Sequence, residues 1–231
     1  MKLALALALV IAAAPACASE ATDLAGLVVA AYGGAETIEA GTSLQQSGAL
    51  ESNRHGKTGT VERRYSRPDR LRIDIQISGE PPESRILDGE RGWRDGKEVP
   101  PMMAKAMFLQ AARLDLPYLI MKAGEKIQML GPVDRGDGRD LEGLEIPMAE
   151  GLRLIAVVDA ANGHIVSSHG LIEIAPGQGM EFATFYAGHR EIDGMLTATE
   201  ETHYAMGRPT GKTVLDTSEV VQDLPNSVFR P

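Results

Sequence analysis

Apolar and polar positions follow two different periods along this chain. Over residues 20–32 the apolar residues Leu24, Leu27, Val28 and Ala31 recur at steps of three and four, which places them on one face of a helix, and Gly33-Gly34 supplies its stop. A second short helical turn runs on to Ala40. Beyond it the period falls to two. Leu71, Ile73, Ile75 and Ile77 alternate with Arg72, Asp74, Gln76 and Ser78, the pattern of a strand with one apolar and one wet face. Asp-Gly or Asn-Gly pairs stand at 88–89, 95–96, 137–138, 162–163 and 193–194, each suited to the positive backbone angles of a tight hairpin. The segments 165–175, 180–192 and 196–206 read as long strands between such turns.

One helical stretch interrupts the strands, over residues 101–122. Pro101 suits a first helical turn, Met102, Met103, Ala106, Met107, Leu109, Ala112 and Leu116 supply apolar surface, and Pro117 is expected to divide the stretch in two. The predicted order is an N-terminal helix, about five strands, a helical hairpin or kinked helix, then about six more strands. Parallel strands would need crossover helices that the pattern lacks, so a mainly β (α+β) fold built on one large curved antiparallel sheet is expected. The first and last strands should share that sheet, because either half alone would expose an apolar face.

The N-terminus carries a different message. Met1-Lys2 is basic, residues 3–14 are an unbroken apolar run, and small residues follow, which is the plan of a secretory signal peptide. The run is shorter than the roughly 20 residues a membrane span needs, and none like it occurs later. Ala16-Cys17-Ala18 offers a cleavage site after Ala18; the predicted organisation is a signal peptide over 1–18 and a single domain over 19–231. Lipid anchoring through Cys17 is the alternative. It is disfavoured because Ala14, followed by Pro15, stands where a lipoprotein signal usually has a large aliphatic residue. Export implies a periplasmic location. Cys17 is the sole cysteine, so stability must come from the core and not from disulfides. The formal charge of −9 becomes −10 once Lys2 is removed, which argues against nucleic acid as a partner.

Catalytic signatures are absent from the sequence: no G-x-S-x-G elbow, no phosphate loop, no H-E-x-x-H and no paired cysteines. His55, His164, His169, His189 and His203 are scattered and read as turn or solvent-face residues. The acidic stretch Asp134, Asp137, Asp140 lacks the ligand order of a calcium loop and reads as a hairpin turn. No cofactor or metal is expected. The methionines of the helical stretch suit a surface that adapts to several apolar ligand shapes, but from the pattern alone a core packed under a sheet is the favoured reading.

The order of features resembles the LolA/LolB-like superfamily of bacterial outer-membrane lipoprotein carriers. The resemblance rests on Arg67-Pro68-Asp69-Arg70-Leu71-Arg72, on Ile86-Leu87-Asp88-Gly89-Glu90-Arg91-Gly92-Trp93, on the hairpin of residues 154–159 and Asn162-Gly163-His164-Ile165, and on the ending Leu224 to Pro231. It implies a half-barrel of about eleven strands whose concave apolar face is covered by a helical lid and shelters acyl chains of lipoproteins or lipids. It further implies that Arg67 holds the lid through bonds to lid backbone, and that Leu71 stands where the carriers have a lining aromatic. The lining and lid residues expected on this basis are Arg67, Leu71, Ile73, Ile75, Ile77, Met102, Met103, Met107 and Leu109. Trp93 reads as a packing residue. Implied partners are acyl chains and donor and acceptor proteins of the inner and outer membranes, with the chain itself monomeric and not an enzyme. Two other readings remain open: an envelope sensor or scaffold that binds a protein through the same fold, and a secreted hydrolase.

Overall fold

The computed structural model describes residues 14–53, 56–175 and 178–231. Most of the predicted signal peptide, and His55, lie outside the described residues. Helix α1 (Ala14–Ala31) extends through the expected cleavage position and buries Ala21, Leu24, Ala25 and Val28, the face its periodicity foretells. Gly33, at φ 96°, turns the chain into α2 (Gly34–Ala40).

Six strands follow: β1 (Ser43–Ser52), β2 (Lys57–Ser66), β3 (Arg70–Ile77), β4 (Glu83–Asp88), β5 (Arg91–Arg94) and β6 (Lys97–Glu98). The helical segment is α3 (Pro101–Ala112), a 3-10 turn (Arg113–Asp115) and α4 (Leu116–Ala123). The break precedes Pro117 rather than falling at it. Proline lacks only an N–H that the first helical turn does not use, so it opens α4. The chain then forms β7 (Gln128–Pro132), β8 (Leu141–Ile146), β9 (Leu152–Asp159), β10 (Ile165–Ala175), β11 (Gln178–Ala187), β12 (Arg190–Ile192), β13 (Met195–Thr197), β14 (Glu200–Ala205) and β15 (Arg208–Val221).

Thirteen of these strands make one antiparallel sheet, in the order β6-β5-β4-β3-β2-β1-β15-β14-β11-β10-β9-β8-β7, open between β6 and β7. The sheet curves into a half-barrel with the helices on its concave side. The two halves join as expected, with β1 paired to β15 from Ser43↔Val221 to Ser52↔Gly211.

The main sheet alone exceeds the expected eleven strands, and two further strands lie outside it. The segment 180–192 is not one strand: Gly188 (φ 63°) ends β11, and β12 pairs with β13 in a separate ribbon around the Asp193-Gly194 turn. That ribbon leans on the helices, and a Cβ at Gly33 would stand 2.3 Å from the Gly194 carbonyl oxygen. The Asp95-Gly96 and Asp193-Gly194 pairs have positive φ at both residues, as a type I′ hairpin turn requires.

Two clusters of buried side chains hold the helices to the sheet. On one half, Leu24, Val28, Leu116 and Ile120 pack against Leu144, Leu154, Val158 and Ile165. On the other, Met107 and Ala111 of α3 pack against Val61, Tyr65, Leu71, Ile73 and Leu87. The C-terminal 3-10 turn (Asn226–Phe229) lies along β3 and β4: Arg72 donates to the Val228 carbonyl at 3.3 Å, and the Arg70 guanidinium stacks on Phe229.

Candidate functional site

Between the two packed clusters the concave face is not filled. A cavity of about 790 Å³ lies between α3 and the sheet, within the roughly 300–1,000 Å³ range of small-molecule pockets. Ile73, Ile75 and Ile77 line it from β3, and Met102, Met103, Met107 and Leu109 line it from α3. The strand alternation and the helix spacing thus bring seven of the nine singled-out residues to one cavity. Met103 is 41 % exposed, which places it at the rim, whereas Met107 and Leu109 are buried. Leu71 is set apart from the cavity wall: it is 1 % exposed and packed in the cluster with Tyr65 and Leu87.

Arg67 forms a clamp between β2, α2 and the α3–α4 junction. Its Nη2 donates to the Ile38 carbonyl at 2.8 Å and its Nη1 to the Glu39 carbonyl at 3.2 Å, at the C-terminal end of α2. Its Nε and Nη2 also donate to the Asp115 carboxylate, at 2.5 and 2.8 Å, and the guanidinium stacks 3.7 Å from the Tyr118 ring centre. The Tyr65 hydroxyl donates to Asp115 at 3.1 Å. Burial drives the Asp115 carboxyl above its ordinary range, and the Arg67 and Tyr65 hydrogen bonds offset only part of that. One arginine in the turn after β2 therefore ties together two separate helical elements.

The cavity floor holds a feature that the apolar pattern hides. Ser168 of β10 faces Thr184 of β11, which faces His203 of β14, so a polar row crosses the sheet in register. His203 Nδ1 lies 3.3 Å from Thr184 Oγ1 and its Nε2 3.0 Å from Thr213 Oγ1. Beside this row Arg63 donates twice to Glu201, at 3.0 and 2.8 Å, and both residues are fully enclosed. Arg113 Nη1 comes within 3.4 Å of Glu201 Oε1, too poorly aligned to count as a hydrogen bond, and has no hydrogen-bond partner.

These surroundings set the charges. Burial opposes ionisation of Glu201, but the Arg63 and Arg113 guanidiniums prevail and hold it well below the carboxylate range. Burial, with Arg113 nearby, pushes His203 down to about 3, so it is neutral at pH 7. His203, ordinarily at 6.5, binds a proton more readily in the unfolded chain. Its contribution to stability is therefore complete above about pH 6.5 and lost as pH falls toward 3. The slope from this group is at most about 1.4 kcal/mol per pH unit, and Glu201 adds loss of the same sign below its ordinary value of 4.5. Urea unfolding across pH 4–7 should show this decline, and His203→Gln should flatten most of its upper part.

Arg63, Arg113, Asp115 and Glu201 went unnoticed in the sequence, and His203, read there as a turn or solvent-face residue, instead lies on the cavity floor because inward-facing positions of β14 carry polar groups. One signal was available. In β2, Arg63 falls between Val61 and Tyr65 on the inward-facing positions, and in β14 Glu201 and His203 share one face. A charge at an inward position of an alternating strand marks a buried ion pair. His164 and His189 stack at 4.9 Å elsewhere, and the Asp134 loop is a turn in which Asp134 and Asp137 accept from Gly136 and Arg139. Among the described residues no group of three or more His, Cys, Asp or Glu could hold a metal ion. No helix among them is long and apolar enough to cross a membrane.

This architecture is the LolA-like fold. A LolA superfamily protein from Nitrosomonas europaea superposes with a TM-score of 0.57 at 13 % identity, covering 88 % of this chain and 96 % of its own. A domain from Vibrio parahaemolyticus classed with outer-membrane lipoprotein-sorting proteins gives 0.53 at 13 % identity, with 92 % and 97 % covered. A DUF1329 family protein from Desulfovibrio piger gives 0.52, also at 13 % identity, with 93 % and 97 % covered. No family model matches the sequence, and no curated protein matches it. The likeness resides in the fold.

Proposed function

We propose that this protein is a non-enzymatic periplasmic carrier that shelters acyl chains of lipoproteins or lipids in its half-barrel, beneath the helices, for sorting toward the outer membrane. The observation that carries this reading is the unfilled cavity of about 790 Å³ with Ile73, Ile75 and Ile77 on its sheet side and Met102, Met103 and Met107 on its helix side. Moving an acyl chain out of a bilayer forfeits about 0.8 kcal/mol per CH₂, so a carrier has to replace that burial with apolar surface of its own. Flexible methionines let one wall fit chains of different length. The export signal read in residues 1–18 supports a periplasmic place of work, with donor and acceptor proteins in the two membranes as partners and the carrier acting as a monomer.

The test is native mass spectrometry of the protein purified gently from an exporting host, with identification of whatever is bound. Acylated species should co-purify, and Ile75→Asp, a charge on the cavity wall, should lower uptake of a fluorescent lipid at least tenfold. An empty protein that takes up no lipid would sink the carrier reading in favour of a protein-binding sensor or scaffold.

A further inference from the structure

The apolar cavity ends on two guanidiniums that share one carboxylate, which leaves the floor one positive charge in excess. At its floor Arg63 and Arg113 share the single carboxylate of Glu201, and the adjoining His203 is neutral. Arg63 takes both carboxylate oxygens in a paired geometry. Arg113 is left over: its side chain is nine-tenths buried, its Nη1 has no hydrogen-bond partner, and it lines the cavity. The neighbouring carboxylate, Asp115, is committed to Arg67.

Two buried cations sharing one carboxylate are less favourable than a balanced pair, and the protein as a whole is acidic at −9, so surplus positive charge is not a general property of its surface. Arg113 also borders a smaller cavity of about 110 Å³ beside Gln46, whose Oε1 is likewise without a partner. Water there would satisfy hydrogen bonds but could not neutralise the charge.

We infer that the cavity is built for a single-chain amphiphile with a carboxylate head, a fatty-acid anion bound head first. Its carboxylate sits against the Arg113 guanidinium, beside the Ser168, Thr184 and Thr213 side chains that line the same cavity. Its chain lies along Ile73, Ile75 and Met107 toward the rim at Met103. This inference rests on the acyl-chain reading and adds the polarity of the ligand and the direction in which it enters.

The test compares hexadecanoate with hexadecanol, the same chain with a neutral head, by calorimetry on the full chain freed of bound lipid. Wild type should bind the anion at least tenfold more tightly, and Arg113→Met should abolish that preference while changing hexadecanol binding less than twofold. The variant keeps the Arg63–Glu201 pair, so its fold should persist, as circular dichroism would verify. In wild type, ¹³C NMR of carboxyl-labelled hexadecanoate should show the head ionised to lower pH than in Arg113→Met. Equal affinity for the two ligands would overturn the headgroup assignment and leave the acyl-chain reading standing. Binding of neither would remove both. Arg94 also lines the cavity, from β5, where it is half-exposed and paired with Glu83; an anion preference that survives Arg113→Met but disappears in Arg94→Met would put the head there and overturn the buried assignment.

Discussion

Glu201→Gln should cost the fold about 3–5 kcal/mol, the usual consequence of removing one member of a buried ion pair. The reason is specific to the cavity floor. Arg63 and Arg113 both depend on that carboxylate, so the substitution leaves two enclosed guanidiniums facing a neutral amide. A lowering of the thermal midpoint by roughly 6–20 °C is expected for a chain of this size. Arg63→Met combined with Glu201→Gln should be less damaging than Glu201→Gln alone, because it removes one of the stranded charges. A double variant no more stable than the single one would mean that the pair matters for its shape and not its charge.

Arg67→Leu should act on the helical cover and spare the sheet. It removes two hydrogen bonds to α2 carbonyls, a double contact to Asp115 and the stacking on Tyr118. The cost should be about 2–4 kcal/mol, moderated because Asp115 can take up a proton once its partner is gone. Hydrogen exchange should quicken over residues 38–40 and 113–118 while β1 and β15 stay protected. In a donor-to-acceptor lipid transfer assay, release should become faster. Unchanged exchange at α2 and unchanged transfer would show that Arg67 is only a surface arginine that happens to be well bonded.

The sequence made the sheet legible because its devices are local. Alternation in β3, positive-φ turn pairs and the 3.6-residue face of α1 each act within a few residues. The pairing of the first and last strands was also within reach, since an apolar face demands a partner. The segment 180–206 was misread as two long strands because Gly188 breaks the ladder where a helix junction, distant in sequence, makes room for a ribbon. The cavity wall was readable as a hydrophobic pattern. Its charged floor was not, because Arg63, Arg113 and Glu201 come from separate elements and meet only when the sheet curves. Leu71 shows the converse. Its place in an alternating strand made it look like Ile73 and Ile75, yet Leu71 is wholly enclosed in its cluster whereas Ile73, packed in that same cluster, still borders the cavity.

The β1–β15 pairing also governs the order of assembly. Ser43 meets Val221 and Ser52 meets Gly211, so the central seam of the sheet joins segments separated by most of the chain. Contacts of such span slow folding, because the intervening chain has to be gathered before the contact repays the lost freedom. A chain emerging from its N-terminus holds β1 as an unprotected edge until Arg208–Val221 arrives. During that interval two half-sheets exist with their apolar concave faces open, which is the state in which aggregation or capture by a chaperone competes with closure. A protein that must keep an apolar hollow in its finished form thus also depends on timing to keep that hollow from being filled by its neighbours.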